Sequence, residues 1–291
     1  MRPILFEIFG WEVPSWHFFF MLAAFTAFAV TRLCARRAIR SGIAGAEKLF
    51  DAVPNLFVIC YVSGWLGARA LSIAVEQLEV TTFLGFLSQL FQIGPMTFYG
   101  GALCAVICGL FFCRFMGISL KLALDCGMIG GVFGLGVGRI GCHLNGDDFG
   151  LAIADQSNPH WWAVTFPSLR DGGIYRFPVQ LEEALASFLI GLFGMWLFFK
   201  LHALKENSQA RFGEASQFCG AGRVAALMGL LTAANRFFNE MFRGDPRGLF
   251  FGTTLSTSSG IALLIAIVSI IALIRIELQQ RCVHLVTEDK Q

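Results

Sequence analysis

Arg236, Asn239, Glu240 and Arg243 are spaced i, i+3, i+4, i+7, the interval that places side chains on one face of a helix. Two guanidinium groups beside a carboxylate suit an anion, because the planar fork of arginine matches two oxygens of a phosphate. The same spacing suits a plain helix-end ion pair between Arg236 and Glu240. Arg139 is followed by Asn145, Asp147 and Asp148, Arg69 lies towards the end of another apolar run, and Gln180, Glu182 and Glu183 open a further one. Tyr99-Gly100-Gly101 follows Pro95 where an apolar segment begins. Glycines admit close backbone approach and a helix start attracts anions. An interfacial tyrosine beside a packing glycine pair accounts for the same residues.

The segments that must position these side chains are apolar. The chain of 291 residues is 56% hydrophobic and 14% charged, where a soluble domain carries about 25% charged residues. Apolar runs cover about 15–34, 53–75, 96–116, 120–142, 180–200, 220–242 and 258–276. Runs near twenty residues match the thickness of a bilayer. Lipid offers no water to pair the backbone, so a spanning chain is helical or a closed barrel. Apolar stretches without alternation of period two select helices. The expectation is an all-α polytopic membrane protein of about seven transmembrane helices. It forms one integral membrane domain over 1–291, with a polar loop or small subdomain at 143–178. Arg2 is the one basic residue before the first run and no small-residue cleavage site is evident, so that run is expected to be a retained helix.

Lysine and arginine set the expected orientation. Arg32, Arg36, Arg37, Arg40 and Lys48, then Arg114 and Lys121, then Lys200, Lys205, Arg211 and Arg223, then Arg275, Arg281 and Lys290 fall on one side of an up-and-down chain. That side is cytoplasmic by the positive-inside rule, with the N-terminus outside and the C-terminus inside. Trp11, Trp16, Trp161 and Trp162 fit an interfacial belt. Arg2, Arg170, Arg176 and Arg247 lie on the other side, and solvation or snorkelling accounts for the first three. Arg69, Arg139 and Arg236 oppose the rule from within or beside apolar segments, which marks them as functional candidates. The same order brings Arg69, Tyr99, Arg139, Asn145, Asp147, Asp148, Gln180, Glu182, Glu183, Asn235, Arg236, Asn239, Glu240 and Arg243 to a similar depth on the outer side.

Other patterns exclude functions. A net charge of +2 leaves no electrostatic footprint for nucleic acid. The nine cysteines are odd in number, and Cys60, Cys104, Cys108, Cys113 and Cys126 sit in apolar runs as small hydrophobes rather than a disulfide framework. Gly136-Val137-Gly138-Arg139-Ile140-Gly141 matches G-x-G-x-x-G, but no strand precedes it, so it is no dinucleotide site. Gly127/Gly131, Gly130/Gly134 and Gly134/Gly138 read instead as small-xxx-small pairs for helix packing. Asp125, near the inner end of its segment, is expected to complement a helix dipole. His17, His143, His160, His202 and His284 lack metal-ligand spacing, and Cys142-His143 with a distant His160 makes a poor zinc set. No metal or organic cofactor is implied.

The stretch Gly138-Arg139-Ile140-Gly141-Cys142-His143-Leu144-Asn145-Gly146-Asp147-Asp148-Phe149-Gly150 resembles the signature of the prolipoprotein diacylglyceryl transferase family, roughly G-R-x-G-N-F-x-N-G-E-x-x-G. Phe98-Tyr99-Gly100-Gly101 resembles its F-H-G-G, Gly67-Ala68-Arg69 its G-G-R, and Pro178-Val179-Gln180-Leu181-Glu182-Glu183 its P-S-Q-L-Y-E. Arg236 to Arg243 resembles its R-x-x-x-E-x-x-R. The likeness spans nearly the whole chain. It implies a bacterial inner-membrane enzyme that moves the sn-1,2-diacylglyceryl group of phosphatidylglycerol to the lipobox cysteine thiol of a prelipoprotein signal peptide, releasing glycerol phosphate. By position, Arg139 and Arg236 match the family's essential arginines. Glu240, Arg243, Asn145, Gly150, Glu183, Asp125 and Arg69 match other characteristic positions, and Asp147 stands for a glutamate. The expected catalytic set is Arg139, Arg236, Tyr99 and Glu240; Arg139, Asn145, Asp147, Gly150, Glu183, Arg243 and Arg69 are expected to bind substrate. Tyr99 replaces a histidine proposed as catalytic base, Cys142 replaces the first asparagine of the signature, and His17 follows Trp16 where the family has W-Y.

The implied chemistry is thiolate attack on a glyceryl carbon as a phosphate leaves. A free thiol titrates near about 8.5, so a small fraction is already ionised at neutrality. Guanidinium groups in a water-poor site stabilise the charge on the departing phosphate. An imidazole suits proton removal at neutral pH better than a phenol does. That leaves three roles for Tyr99: an arginine-activated base, a hydrogen-bonding partner of the head group, or the mark of an impaired site. A homologue with a different acceptor and a non-catalytic lipid- or lipoprotein-binding membrane protein are the alternatives. A transporter would show broken helices or inverted repeats.

Overall fold

The computed structural model describes residues 2–76, 82–92, 94, 96–212, 222–245 and 255–288. Pro95, Arg247 and Lys290 lie outside the described residues, as do the side chains of Lys205, Arg211, Arg281 and His284. A hairpin of β1 (Ile4–Ile8) and β2 (Trp11–Pro14) leads into α1 (Ser15–Arg40), α2 (Ala46–Glu76), α3 (Phe83–Leu90), α4 (Phe98–Phe115), α5 (Leu120–Asn145), α6 (Val179–Phe212), α7 (Arg223–Glu240) and α8 (Thr257–Glu288). Six of these, α1, α2, α4, α5, α6 and α8, are long and apolar enough to cross a membrane. Leu263, Leu264, Ile267, Val268 and Ile271 of α8 are exposed. An outward stripe of that kind is at home against lipid, not water. The chain is an all-α polytopic membrane protein, with the small hairpin as the one sheet among the described residues.

The seventh expected span, 220–242, is α7. It has the length of a crossing, 18 residues, but Asn235, Arg236, Asn239 and Glu240 dilute its apolar character. It packs against both α6 and α8, which shelter its polar face. Helices also overrun their apolar runs. Arg32, Arg36, Arg37 and Arg40, expected in a loop, belong to α1, where basic residues in the last turn complement the dipole. α2 begins before its apolar run and carries Pro54 inside it, and α6 and α8 continue into charged residues that are good helix formers. The hairpin had no counterpart in the sequence reading. Ile8 pairs with Trp11 across a two-residue turn, and Phe9 (φ 50) and Gly10 (φ 80) both take positive φ, as type I′ hairpins require.

The described residues divide into two compact units, Ile43–Ala123 and Met1–Gly42 with Leu124–Gln291. In the first, α2 and α4 pack through glycines. A Cβ on Gly100 would collide with the Gly67 carbonyl and Leu71, and one on Gly101 with the Gly64 carbonyl. Thr97 N–H donates to the Ala68 carbonyl at 3.0 Å, tying the start of α4 to the end region of α2. In the second unit, Gly130 and Gly134 of α5 lie against Ala23, Ala27 and Thr31 of α1, while Gly136 meets Phe188 of α6. Gly127 and Gly131, read from sequence as a packing pair, face nothing within 4 Å among the described residues. Asp125 is buried and does not serve the start of its own helix. It caps α7: Oδ2 accepts from Gly222 N–H and Oδ1 from Ala225 N–H, both at 2.7 Å.

The stretch between α5 and α6 is held by short ladders rather than by a sheet. Gly150 bridges Arg243, and Ala152 and Val164 both bridge Arg176. His160, Trp162 and Phe177 stack in turn at 5.0 and 5.2 Å, and the fully buried Phe166 packs against the rings of His143 and Phe149.

Candidate functional site

The larger unit gathers the ends of four helices. The last two turns of α5 bring Arg139, the first turns of α6 bring Gln180 and Glu183, the last turns of α7 bring Arg236 and Glu240, and the first turn of α8 brings Ser258. These are the ends that an alternating order of packed helices puts side by side. Glu183 is the hub. Its carboxylate is buried, with 2% exposure, and receives Arg236 Nη1 at 3.1 and 3.3 Å. Arg139 Nε lies 3.0 Å from the same Oε2, an ion pair whose N–H is not aimed at the oxygen. Its neighbour Glu182 is exposed.

Around this hub the arginines find further partners. Arg236 Nη2 donates to Glu240 Oε2 at 3.0 Å and to Ser258 Oγ at 3.1 Å. Arg139 Nη1 pairs with Asp148 Oδ2 at 2.5 Å, and Arg243 Nη2 pairs with Asp148 Oδ1 at 2.5 Å. Arg243 also donates through Nε and Nη2 to both oxygens of Asp245 at 2.9 Å. Burial works to lower the Arg243 pKa, but the carboxylates of Asp245 and Asp148 outweigh it, so the net shift is upward and the group stays a cation. Three guanidinium groups and four carboxylates thus form one continuous network. In so sheltered a place, charges act on one another and on a bound anion more strongly than in water.

The polar connection fixes the outer members of the network. Leu151 N–H donates to the Phe242 carbonyl at 2.8 Å and Gly244 N–H to the Phe149 carbonyl at 3.0 Å, so the chain around Gly150 runs beside that around Arg243. A Cβ on Gly150 would strike the Phe177 carbonyl and Val179, so packing accounts for the glycine. Gln180 Nε2 donates to the Asp147 carbonyl at 2.7 Å. The Asp147 side chain is exposed and takes a hydrogen bond from Asn145, and Asn239 is buried and turns back to Asn235 at 3.3 Å.

Sequence reasoning singled out Arg139, Glu183, Arg236, Glu240 and Arg243, and the structure brings all five together. It underrated three residues. Asp148, at a position the thirteen-residue signature leaves open, reaches the arginines where Asp147 does not. Asp245 follows Arg243 by two residues, and Ser258 opens a helix whose start the up-and-down order already assigns to this side. Arg69 and Tyr99 belong to the other unit. Arg69 is buried, with Nε donating to the Gln89 carbonyl at 3.1 Å, and Tyr99 packs edge-on against Phe98 at 5.7 Å. Gly100 and Gly101 beside Tyr99 allow the close approach of α2.

The sequence profile of the family described as Prolipoprotein diacylglyceryl transferase matches residues 3–275. The chain is similar to phosphatidylglycerol–prolipoprotein diacylglyceryl transferase 2 of Clostridium perfringens, with 29% identity over 272 residues that cover 92% of each chain. It is 26% identical to phosphatidylglycerol–prolipoprotein diacylglyceryl transferase of Clostridium tetani over 93% of this chain and 96% of that one. The enzyme of that name from Campylobacter curvus is 28% identical over 86% and 84% of the two chains.

Proposed function

Because the chain belongs to the prolipoprotein diacylglyceryl transferase family, we propose that it moves the diacylglyceryl group of phosphatidylglycerol to prolipoproteins, with Arg139 and Arg236 holding the lipid phosphate. The observation that supports this reading most is the shared anchor: both guanidinium groups lie within 3.1 Å of Glu183 Oε2 although they come from different helices. A single anion of phosphate size can therefore meet both. The acceptor is the thiol of a lipobox cysteine in a prelipoprotein signal peptide. Its sulfur bonds to the glyceryl carbon, the carbon–oxygen bond to phosphate breaks, and glycerol phosphate leaves with the bonding pair while the thiol proton passes to solvent or a base. The arginines stabilise the charge that grows on the leaving oxygen. Arg243 supports binding and Glu240 orients Arg236. The membrane is the bacterial inner membrane, with the arginine network at its outer side.

The test mixes purified protein, phosphatidylglycerol and a lipobox peptide, and measures glycerol phosphate. Release should require the peptide thiol and fall by about 10²–10³ in Arg139→Ala, as when one oxyanion donor is lost. Tyr99→Phe should retain transfer; its abolition would make the phenol the base. Lipid binding without release would point to a non-catalytic binder, and release only with some other acceptor would point to a different substrate.

A further inference from the structure

Asp148 occupies the position of an anion within the arginine network. Its two oxygens are taken by guanidinium groups from different elements, Arg139 in α5 and Arg243 beyond α7, each at 2.5 Å. One anion bridging two arginines is the geometry that clamps a phosphate as well as a carboxylate. The Asp148 side chain is 27% exposed, against 11% for Arg139 and 2% for Arg243, so it is the member that meets an incoming group. Each arginine keeps a less exposed carboxylate besides it, Glu183 for Arg139 and Asp245 for Arg243. Asp148 can therefore leave without stranding a buried charge. Arg243 Nη1 is buried with no hydrogen-bond partner among the described residues, so the arginine holds donor capacity in reserve. The backbone of Asp148 lies at φ 60, in the left-handed region where a side chain is seldom found.

Resting on the reading of Arg139 and Arg236 as the phosphate site, we propose that Asp148 is a resident counter-ion that takes, against Arg139, the place of a lipid phosphate oxygen, with Arg243 as its second partner, and swings out when the lipid binds. It keeps two cationic side chains in register in the empty site, and it competes with substrate. An internal competitor in place about nine-tenths of the time weakens apparent affinity about tenfold.

The experiment measures binding of phosphatidylglycerol and of diacylglycerol to the full-length protein in detergent, for the wild type, Asp148→Asn and Asp148→Gly. Both variants remove the charge, and glycine suits a positive φ without strain. Phosphatidylglycerol should bind about tenfold tighter to both variants, with diacylglycerol, which has no phosphate to compete with Asp148, unchanged. A merely structural aspartate would leave affinity equal or weaker on removal. Folded variants that bind phosphatidylglycerol no tighter than wild type does would overturn the proposal while leaving the phosphate site standing. A wild type without preference for phosphatidylglycerol would overturn both. Failure of both variants to fold would also overturn it, since each arginine should be held by its second carboxylate.

Discussion

Glu182 and Glu183 are chemically alike and adjacent, yet only Glu183 turns inward, where two guanidinium groups share it. Removing its charge leaves Arg139 and Arg236 buried with fewer partners, which is costly even though Asp148 and Glu240 remain. Glu183→Gln should lower stability by about 2–4 kcal/mol in thermal unfolding, and Glu182→Gln should stay within about 0.5 kcal/mol of wild type. The identity of the arginines was legible because charged residues in apolar runs are rare. The pairings were not. Which of Asp147 and Asp148 reaches Arg139 depends on the positive φ of Gly146 and Asp148, which no spacing rule reports.

At the scale of the element, Asp125 links two helices. It sits in α5 but satisfies the first amides of α7, whose far end carries Arg236 and Glu240. Loss of a capping carboxylate costs about 1–2 kcal/mol. Asp125→Ala should show that loss in unfolding, with faster hydrogen exchange at Gly222 and Ala225, while Asp125→Asn keeps part of the cap. All seven apolar runs were legible as helices from their length and lack of alternation. The hairpin and α3 were not, because both are short and owe their form to a turn at Phe9-Gly10 and a cap at Thr82, whose side chain accepts from Gly85 N–H at 3.2 Å.

For the whole molecule, the basic residues of the expected inner side and the arginine network of the expected outer side make orientation testable. A reporter joined to the C-terminus should be active in the cytoplasm, and one inserted beside Gly172 or Gly173, where the chain takes positive φ and a Cβ meets nothing nearby, should be active outside. The opposite pattern would reverse the assigned topology. Composition and the length of the apolar runs were enough to establish a helical membrane protein with six helices long and apolar enough to cross a membrane, because burial in lipid constrains every residue of a span in the same way. They could not establish that α7 is sheltered by α6 and α8, that Glu183 joins Arg139 to Arg236, or that Asp148 stands between Arg139 and Arg243. All of those contacts but Arg139–Asp148 join residues tens of positions apart, so they exist only once the helices have packed and the polar connection has closed over their ends.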